Sequence, residues 1–258
     1  MTNSKQRLDV AMAERGLVSS RSQAESYVRL GQVKVNGKVA AKPGQMVAES
    51  DEIQVTAEEQ YVSRAALKLK SAAEVFGLDF VGKIVLDVGS STGGFSQYAL
   101  QHGAVKVIAV DVGTEQLHPS LRGDSRIELH EKTDIRDFQT NEHIDMVVGD
   151  VSFISLREIL PHVATLADSR TDIVAMVKPQ FEAHAERSRS TGHPSTGSGF
   201  RARALNKGVI KNDKMRREIL KDFEAWAQKY FKFVDKTDSG VAGSKGNIER
   251  FYVLRKLG

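Results

Sequence analysis

No cysteine occurs among the 258 residues. Its absence excludes a disulfide framework, thiolate zinc sites, iron–sulfur clusters and every mechanism that needs a cysteine nucleophile. Proline is scarce, at five residues, and 40% of the chain is apolar, so a largely disordered protein is excluded and a sizeable core can be built. No apolar run approaches the roughly 20 residues that span a bilayer, and Met1-Thr-Asn-Ser-Lys-Gln-Arg lacks the apolar centre of a signal peptide. The expectation is a soluble cytoplasmic protein without stable membrane insertion, and a monomer is compatible with it. The seven histidines show no H-x-x-x-H or similar spacing, so no metal is expected. Charge is nearly balanced, 37 Lys and Arg against 33 Asp and Glu, and the net +4 mildly favours a polyanionic partner.

The length exceeds one average domain and suits a small module joined to an α/β domain. Residues 1–48 hold eight Lys and Arg against three Asp and Glu, whereas Glu49, Asp51, Glu52, Glu58 and Glu59 make the next stretch acidic. That change predicts a module over residues 1–60, ending in a short acidic linker, and a second domain over 61–258. In the module, Leu8 and Met12 stand at helical spacing between Arg7 and Glu14. Ser20-Arg-Ser-Gln23 reads as a capping box that opens a second helix to about Leu30, stopped by Gly31. Gln32 to Val39 alternates around Asn36-Gly37, a hairpin turn whose two residues must accept positive φ. Arg21-Ser-Gln-Ala-Glu together with Gly31-Gln-Val-Lys-Val-Asn-Gly-Lys resembles the S4-like RNA-binding domain. The resemblance implies that Arg21, Gln23, Lys34, Asn36 and Lys38 meet phosphate and sugar, contacts that position a nucleic acid without reading bases. A solvated basic face explains the same charges equally well.

From Lys83 onward strands and helices alternate, the pattern of a mostly parallel sheet covered on both faces. Ile84-Val-Leu-Asp-Val-Gly reads as a buried strand, Ser90-Ser-Thr-Gly-Gly-Phe-Ser opens a helix, and the next strand closes at Asp111. A glycine loop between strand and helix, with an acid at the end of the second strand, holds a nucleoside-bearing cofactor: backbone comes close and the carboxylate takes ribose hydroxyls. Ser91 stands where G-x-G-x-x-G requires glycine, and no Lys-Ser/Thr follows, so neither a dinucleotide fingerprint nor an NTPase phosphate loop is present. Asp87-Val-Gly-Ser-Ser-Thr-Gly-Gly-Phe instead resembles motif I of Rossmann-type S-adenosylmethionine-dependent methyltransferases, and an acid there suits the ammonium of a methionine moiety.

Further charges sit directly after buried apolar runs: Asp150 after Ile144-Asp-Met-Val-Val-Gly and Lys178 after Asp172-Ile-Val-Ala-Met-Val. In open α/β sheets ligands lie outside these carboxyl ends. The last strand, starting at Glu249, should pair antiparallel with Phe231–Thr237 and return Glu249 to the same rim. After Ser63 a helix carries an apolar stripe of Ala65, Leu69, Ala72, Val75 and Phe76, and Lys68 falls inside it at 100° per residue. A core-facing ammonium is costly unless paired or functional.

Five ordered motifs, Ser63-Arg-Ala-Ala-Leu-Lys-Leu, Asp87-Val-Gly-Ser-Ser-Thr-Gly-Gly-Phe, Gly149-Asp-Val-Ser-Phe-Ile-Ser-Leu, Val177-Lys-Pro-Gln-Phe-Glu and Gly246-Asn-Ile-Glu-Arg-Phe, are together similar to the TlyA family. That family joins an S4-like domain to an FtsJ-like methyltransferase and is often labelled hemolysin. The resemblance implies a class I methyltransferase domain with an antiparallel last strand, and S-adenosylmethionine-dependent 2′-O-methylation of ribosomal RNA, at cytidine, in free RNA or ribosomal subunits. It carries a Lys-Asp-Lys-Glu tetrad onto Lys68, Asp150, Lys178 and Glu249. It assigns Asp87, Gly89, Ser90, Gly93, Gly94 and Phe95 to the cofactor loop, Asp111 to the ribose, and Asp134 and Ile135 to the adenine edge. Arg64 joins the RNA-binding set. A ribose hydroxyl is a weak nucleophile, so a positioned amine must take its proton; Lys178 is the candidate.

Other chemistries fare worse. Pyrimidine C5 methylation through a covalent adduct lacks its cysteine, and Asp150-Val-Ser-Phe lacks the two prolines usual for exocyclic-amine methylation. A small-molecule methyltransferase leaves the basic module unexplained. A membrane-active hemolysin would need an amphipathic or spanning segment, and none is evident. A non-catalytic RNA-binding protein sits poorly with the complete tetrad. Residues 183–207 depart from the family pattern with a low-complexity, Ser- and Gly-rich insertion, read as flexible and more easily functionless than an RNA-side flap.

Overall fold

In the computed structural model, which describes residues 5–18, 20–29, 31–56, 61–183, 209–210, 212–243 and 246–258, the Asn36-Gly37 turn forms as its residue types dictate. Both residues lie at positive φ, 50° and 77°, and they join β2 (Val33–Val35) to β3 (Lys38–Val39) in antiparallel register. Before the hairpin come β1 (Gln6–Arg7), α1 (Leu8–Glu14) and α2 (Arg21–Arg29). After it come β4 (Met46–Val47), paired with β1, and β5 (Ile53–Val55), paired with β2. The acidic stretch predicted as a linker therefore contributes a strand: Ile53 faces the core while Gln54 stays outside. Leu8, Met12, Ala24, Tyr27, Val33 and Val47 fill this small core.

Asn36, expected among the nucleic-acid contacts, has a structural part in the turn. Its amide nitrogen donates to Asp51 Oδ1 at 2.9 Å and its carbonyl accepts from the Glu52 N–H at 2.9 Å, so the turn is stapled to the loop before β5. Asn36→Ala removes both bonds and leaves at positive φ a residue without the polar side chain that makes asparagine tolerant of that conformation. The expected cost is about 1–2 kcal/mol, read as a lower midpoint for this unit in urea.

The chain divides into two compact units, Met1–Ala66 and Leu67–Gly258. In the second, seven strands form one sheet: β6 (Ile84–Val88), β7 (Lys106–Val110), β8 (Ile127–His130), β9 (Met146–Gly149), β10 (Asp172–Val177), β11 (Phe231–Asp238) and β12 (Arg250–Lys256). The spatial order is β11-β12-β10-β9-β6-β7-β8, parallel except that β12 runs antiparallel to both β10 and β11. The antiparallel last strand is as the sequence predicts; the half-buried edge strand β8 is additional. Central strands read as unbroken apolar runs because both faces are covered. On one face Leu86, Val88, Ile108 and Val147 pack with Leu156, Ile159 and Leu160 of α5 (Leu156–Leu166) and with Phe223 and Trp226 of α6 (Asp213–Ala227). The other helices are α3 (Arg64–Phe76) and α4 (Gly94–Gln101).

α3 departs from the stripe predicted for it. Its buried residues are Ala66, Lys68, Leu69, Ala72 and Ala73, while Val75 is 62% exposed, so the apolar face is rotated by about one residue. Lys68 stays inside that face. The low-complexity insertion at 183–207 lies outside the described residues except for Ala183.

Candidate active site

Strand order locates the site. From β6 the chain moves outward through β7 and β8, then crosses back to β9 on the other side of β6, and this reversal opens a crevice at the carboxyl ends of β6 and β9. Asp87 lies one residue before the end of β6, Gly89 follows that strand, and Asp150 follows β9.

Asp87 is 1% exposed. Ser96 Oγ donates to its Oδ2 at 2.6 Å, whereas Oδ1 is buried without a hydrogen-bond partner. Burial pushes the carboxyl up to about 7, against the pull of the Ser96 hydroxyl and with a further push from the Asp150 charge. Ser90 Oγ is likewise buried and unpartnered. Such orphan groups invite a polar ligand. Gly89 has φ 79°, and a β-carbon there would lie 3.1 Å from Val151 Cγ1 and 3.3 Å from its Cα. Gly93 caps α4 at φ 86°, Gly94 opens that helix, and Phe95 is buried beside Phe251. Asp111 braces this loop from β7, with Oδ2 accepting from the Ser91 N–H at 2.8 Å and Oδ1 from the Gly113 N–H at 2.7 Å.

Asp134 and Ile135 are less open. Asp134 accepts the Arg136 guanidinium through both oxygens, which holds its carboxyl down at about 2. The Ile135 side chain packs in the core, so only backbone atoms of this residue could face a ligand.

Lys68, Asp150, Lys178 and Glu249 come together. Lys178 Nζ lies 2.6 Å from Asp150 Oδ1, Asp150 Oδ2 lies 3.8 Å from Lys68 Nζ, and Lys68 Nζ lies 2.6 Å from Glu249 Oε2. The contacts run cation, anion, cation, anion. Lys68, Lys178 and Glu249 are each at most 8% exposed, so an isolated member would cost several kcal/mol, and alternation of sign offsets that cost. Gly243 leaves room for the last acid: a β-carbon there would sit 2.7 Å from Glu249 Oε1. A buried ion network is weak evidence for stability, since well-packed apolar residues often serve better.

Residues outside the predicted set also belong to this rim. Ser152 Oγ lies 2.6 Å from Lys178 Nζ, and the Lys178 ammonium lies 6.0 Å from the centre of the Phe181 ring. Phe153 is 92% exposed with φ 70° and packs on Phe181. Val112, directly after Asp111, is 70% exposed. A lone aromatic or valine carries no sign in sequence of being left outside the core, so Phe153 and Val112 were not among the expected site residues.

Of the predicted RNA-facing residues, Arg21 is exposed and pairs with buried Asp9 at 3.1 Å, Lys38 is exposed, and Lys34 and Arg64 are half-buried. Gln23 is buried, and its amide nitrogen donates to the Tyr61 carbonyl. Its backbone N–H does receive the predicted Ser20 cap at 3.2 Å.

The FtsJ-like methyltransferase family matches residues 61–256 and the S4 domain family matches residues 6–53. The 16S/23S rRNA (cytidine-2′-O)-methyltransferase TlyA of Mycobacterium tuberculosis is 36% identical over 96% of this chain and 89% of its own length. The chain belongs to the TlyA family. Its fold is that of a class I methyltransferase preceded by an S4 domain, and it is a methyltransferase by family. Another TlyA relative, Hemolysin A of Brachyspira hyodysenteriae, is 39% identical over 94% of this chain and 97% of its own. A solved structure from Streptococcus thermophilus described as a hemolysin has a TM-score of 0.67 and 35% identity, covering 99% of this chain and 90% of that one. No helix among the described residues is long and apolar enough to cross a membrane, and no metal-holding cluster of His, Asp and Glu occurs among them.

Proposed function

We propose that this protein methylates a ribose 2′-oxygen of ribosomal RNA, at a cytidine, using S-adenosylmethionine, and that Lys178 takes the proton from the attacking hydroxyl. The observation that carries this reading is the alternating chain Lys178, Asp150, Lys68, Glu249 beside the crevice at the β6 and β9 ends. Bound S-adenosylmethionine supplies a methyl group activated by its sulfonium. The groups present suit it: the orphan Asp87 Oδ1 suits an ammonium, the Gly89, Ser90, Gly93, Gly94 and Phe95 backbone forms the loop assigned to the cofactor, and the Asp111 carboxylate after the second strand suits ribose hydroxyls. Val112 offers an exposed apolar surface toward an adenine, and Asp134 and Ile135 keep the adenine-edge role assigned by resemblance.

The chain's own residues then divide the work. Lys178 first gives its ammonium proton to water; the neutral Nζ then receives the proton of the attacking hydroxyl, and Asp150 orients that amine through its 2.6 Å contact. Lys68, held by Glu249, presents a second positive charge that stabilises alkoxide character on the ribose oxygen. No base chemistry is needed beyond this, because in-line attack depends on holding two reactants at the right separation. Arg21, Lys34, Lys38 and Arg64 supply backbone contacts to RNA. The S4 module over 1–60 and the methyltransferase domain over 61–258 are thus a holder and a catalyst, in a cytoplasmic protein that meets ribosomal RNA.

The test is transfer of labelled methyl from S-adenosylmethionine to unmodified ribosomal subunits, with the product mapped at nucleotide resolution. Methyl on a base, or no transfer, rejects the reading. Sedimentation with liposomes tests the lytic alternative that the hemolysin names suggest; the expected result is no binding.

A second expectation concerns the Lys68–Glu249 pair. Lys68→Met strands Glu249 and should destabilise the protein by roughly 3–5 kcal/mol. Adding Glu249→Gln should recover most of that loss in thermal unfolding, yet restore no turnover. Recovery of both stability and turnover in the double variant would make the pair purely structural.

A further inference from the structure

Among the described residues of the second unit, the proposed chemistry leaves one buried acid unused. Glu182 is 1% exposed, and burial pushes its carboxyl up from the ordinary carboxylate range. Its partners sit at the start of α5: Ser155 Oγ donates to Oε2 at 2.7 Å and the Leu156 N–H donates to Oε1 at 2.8 Å. Ser155 is itself the N-cap of α5, accepting from the Arg157 N–H at 3.1 Å. Arg157 lies 3.3 Å from the Glu182 carboxylate, and its guanidinium is anchored by Asp222 at 2.5 Å and lies over the Trp226 ring. A carboxylate against a helix N-terminus, with a neighbouring cation, is a favourable arrangement.

What matters is what those partners are attached to. Glu182 lies one helical turn beyond Lys178, and the Glu182 and Phe181 N–H groups both donate to the Lys178 carbonyl, at 3.3 and 2.9 Å. Ser155 ends the short loop that starts at Asp150 and passes through Ser152 and the left-handed Phe153. A phenylalanine at φ 70° costs on the order of 1 kcal/mol or more and persists only where its surroundings hold it.

We infer that Glu182 is a positioning residue: it locks the turn after β10 to the loop after β9 and so fixes Lys178 Nζ against Asp150 and Ser152. The two groups follow different strands, Asp150 after β9 and Lys178 after β10, and those strands are joined by the hydrogen bonds of the sheet. Without this lock, the loop can relax at Phe153 and the amine can drift from Asp150. A displacement of about 1 Å suffices to slow an in-line transfer about 10²-fold.

This inference rests on Lys178 as the proton acceptor, so the test includes that residue. Parent, Lys178→Ala, Glu182→Gln and Glu182→Ala proteins are compared for methyl transfer to unmodified ribosomal subunits, with the Kd and stoichiometry of S-adenosylmethionine binding measured on the same samples. Glu182→Gln still accepts the Leu156 N–H and is expected to lose about tenfold in kcat; Glu182→Ala is expected to lose about 100-fold. The KM for subunits, the Kd and the stoichiometry should stay within about twofold of the parent. Should Glu182→Ala fail to fold, Glu182→Gln carries the test alone. Parental kcat in Glu182→Gln while Lys178→Ala is inactive overturns the inference and spares the proposed chemistry. A kcat that falls only in step with binding stoichiometry also overturns it, because Glu182 would then merely support the fold. Full activity of Lys178→Ala rejects the chemistry and this role together.

Discussion

Lys178→Ala is expected to bind S-adenosylmethionine as tightly as the parent and to transfer methyl roughly 10²–10⁴-fold more slowly, the usual span for losing a positioned proton acceptor. The amine is 8% exposed and its contacts are Asp150 and Ser152 rather than the residues assigned to the cofactor, so removing it should spare cofactor binding. Alanine also removes a charge, and loss of turnover alone would not separate proton transfer from electrostatics. Lys178→Arg separates them. A guanidinium keeps the ion pair with Asp150 but does not deprotonate in proteins, so the arginine variant should be as inactive as alanine. Measured by single-turnover transfer of tritiated methyl, a Lys178→Arg protein near the parental rate would make Lys178 an electrostatic group and move the base elsewhere. Lys178→Ala also leaves Asp150 with only Lys68 at 3.8 Å, so a modest loss of thermal stability should accompany the kinetic effect.

Charge after an apolar run was the feature that sequence made legible, because burying a charge is expensive and a sequence betrays it directly. Asp150 and Lys178 were visible in this way, Asp87 through the glycine-loop motif and Glu249 through the antiparallel return of its strand, and the parallel order of the strands followed from alternation with helices. Lys68 was found by helical phase even though that phase was off by about one residue, since Val75 points out and Ala66 points in. What stayed hidden depends on partners distant in sequence. Ile53–Val55 looks like part of an acidic linker until β2, some 20 positions earlier, offers it a ladder. Gln23 and Asn36 carry the polar groups of ligand-binding residues, but those groups are taken up by Tyr61, Asp51 and Glu52. Glu182 follows a phenylalanine in an unremarkable turn, and only the folded chain sets it against the start of α5.

Asp87→Asn should raise the stability of the free protein while weakening its hold on S-adenosylmethionine, and the two effects should carry opposite signs with pH. The unfolded carboxyl titrates near 3.8 and the folded one near 7, so between these values the folded protein keeps a proton that the unfolded chain has lost. Stability contributed by this site therefore falls as pH rises through that window. Above pH 7 the full cost applies, roughly 4 kcal/mol as an upper bound. Asparagine avoids it and still accepts the Ser96 hydroxyl, so its thermal midpoint should exceed the parent's most above pH 7, with the advantage shrinking toward pH 4. Binding runs the other way. An ammonium beside Asp87 needs the ionised form, so parental affinity should drop as pH falls below 7, by up to tenfold per unit. The asparagine variant should bind about 10–100-fold more weakly at pH 8, where a charge-assisted hydrogen bond worth about 1.5–3 kcal/mol is lost. Its affinity should also be flat with pH, as calorimetry can measure. An Asp87→Asn protein that matches the parent in both affinity and pH slope would place the methionine ammonium elsewhere and leave this buried acid a burden without a ligand.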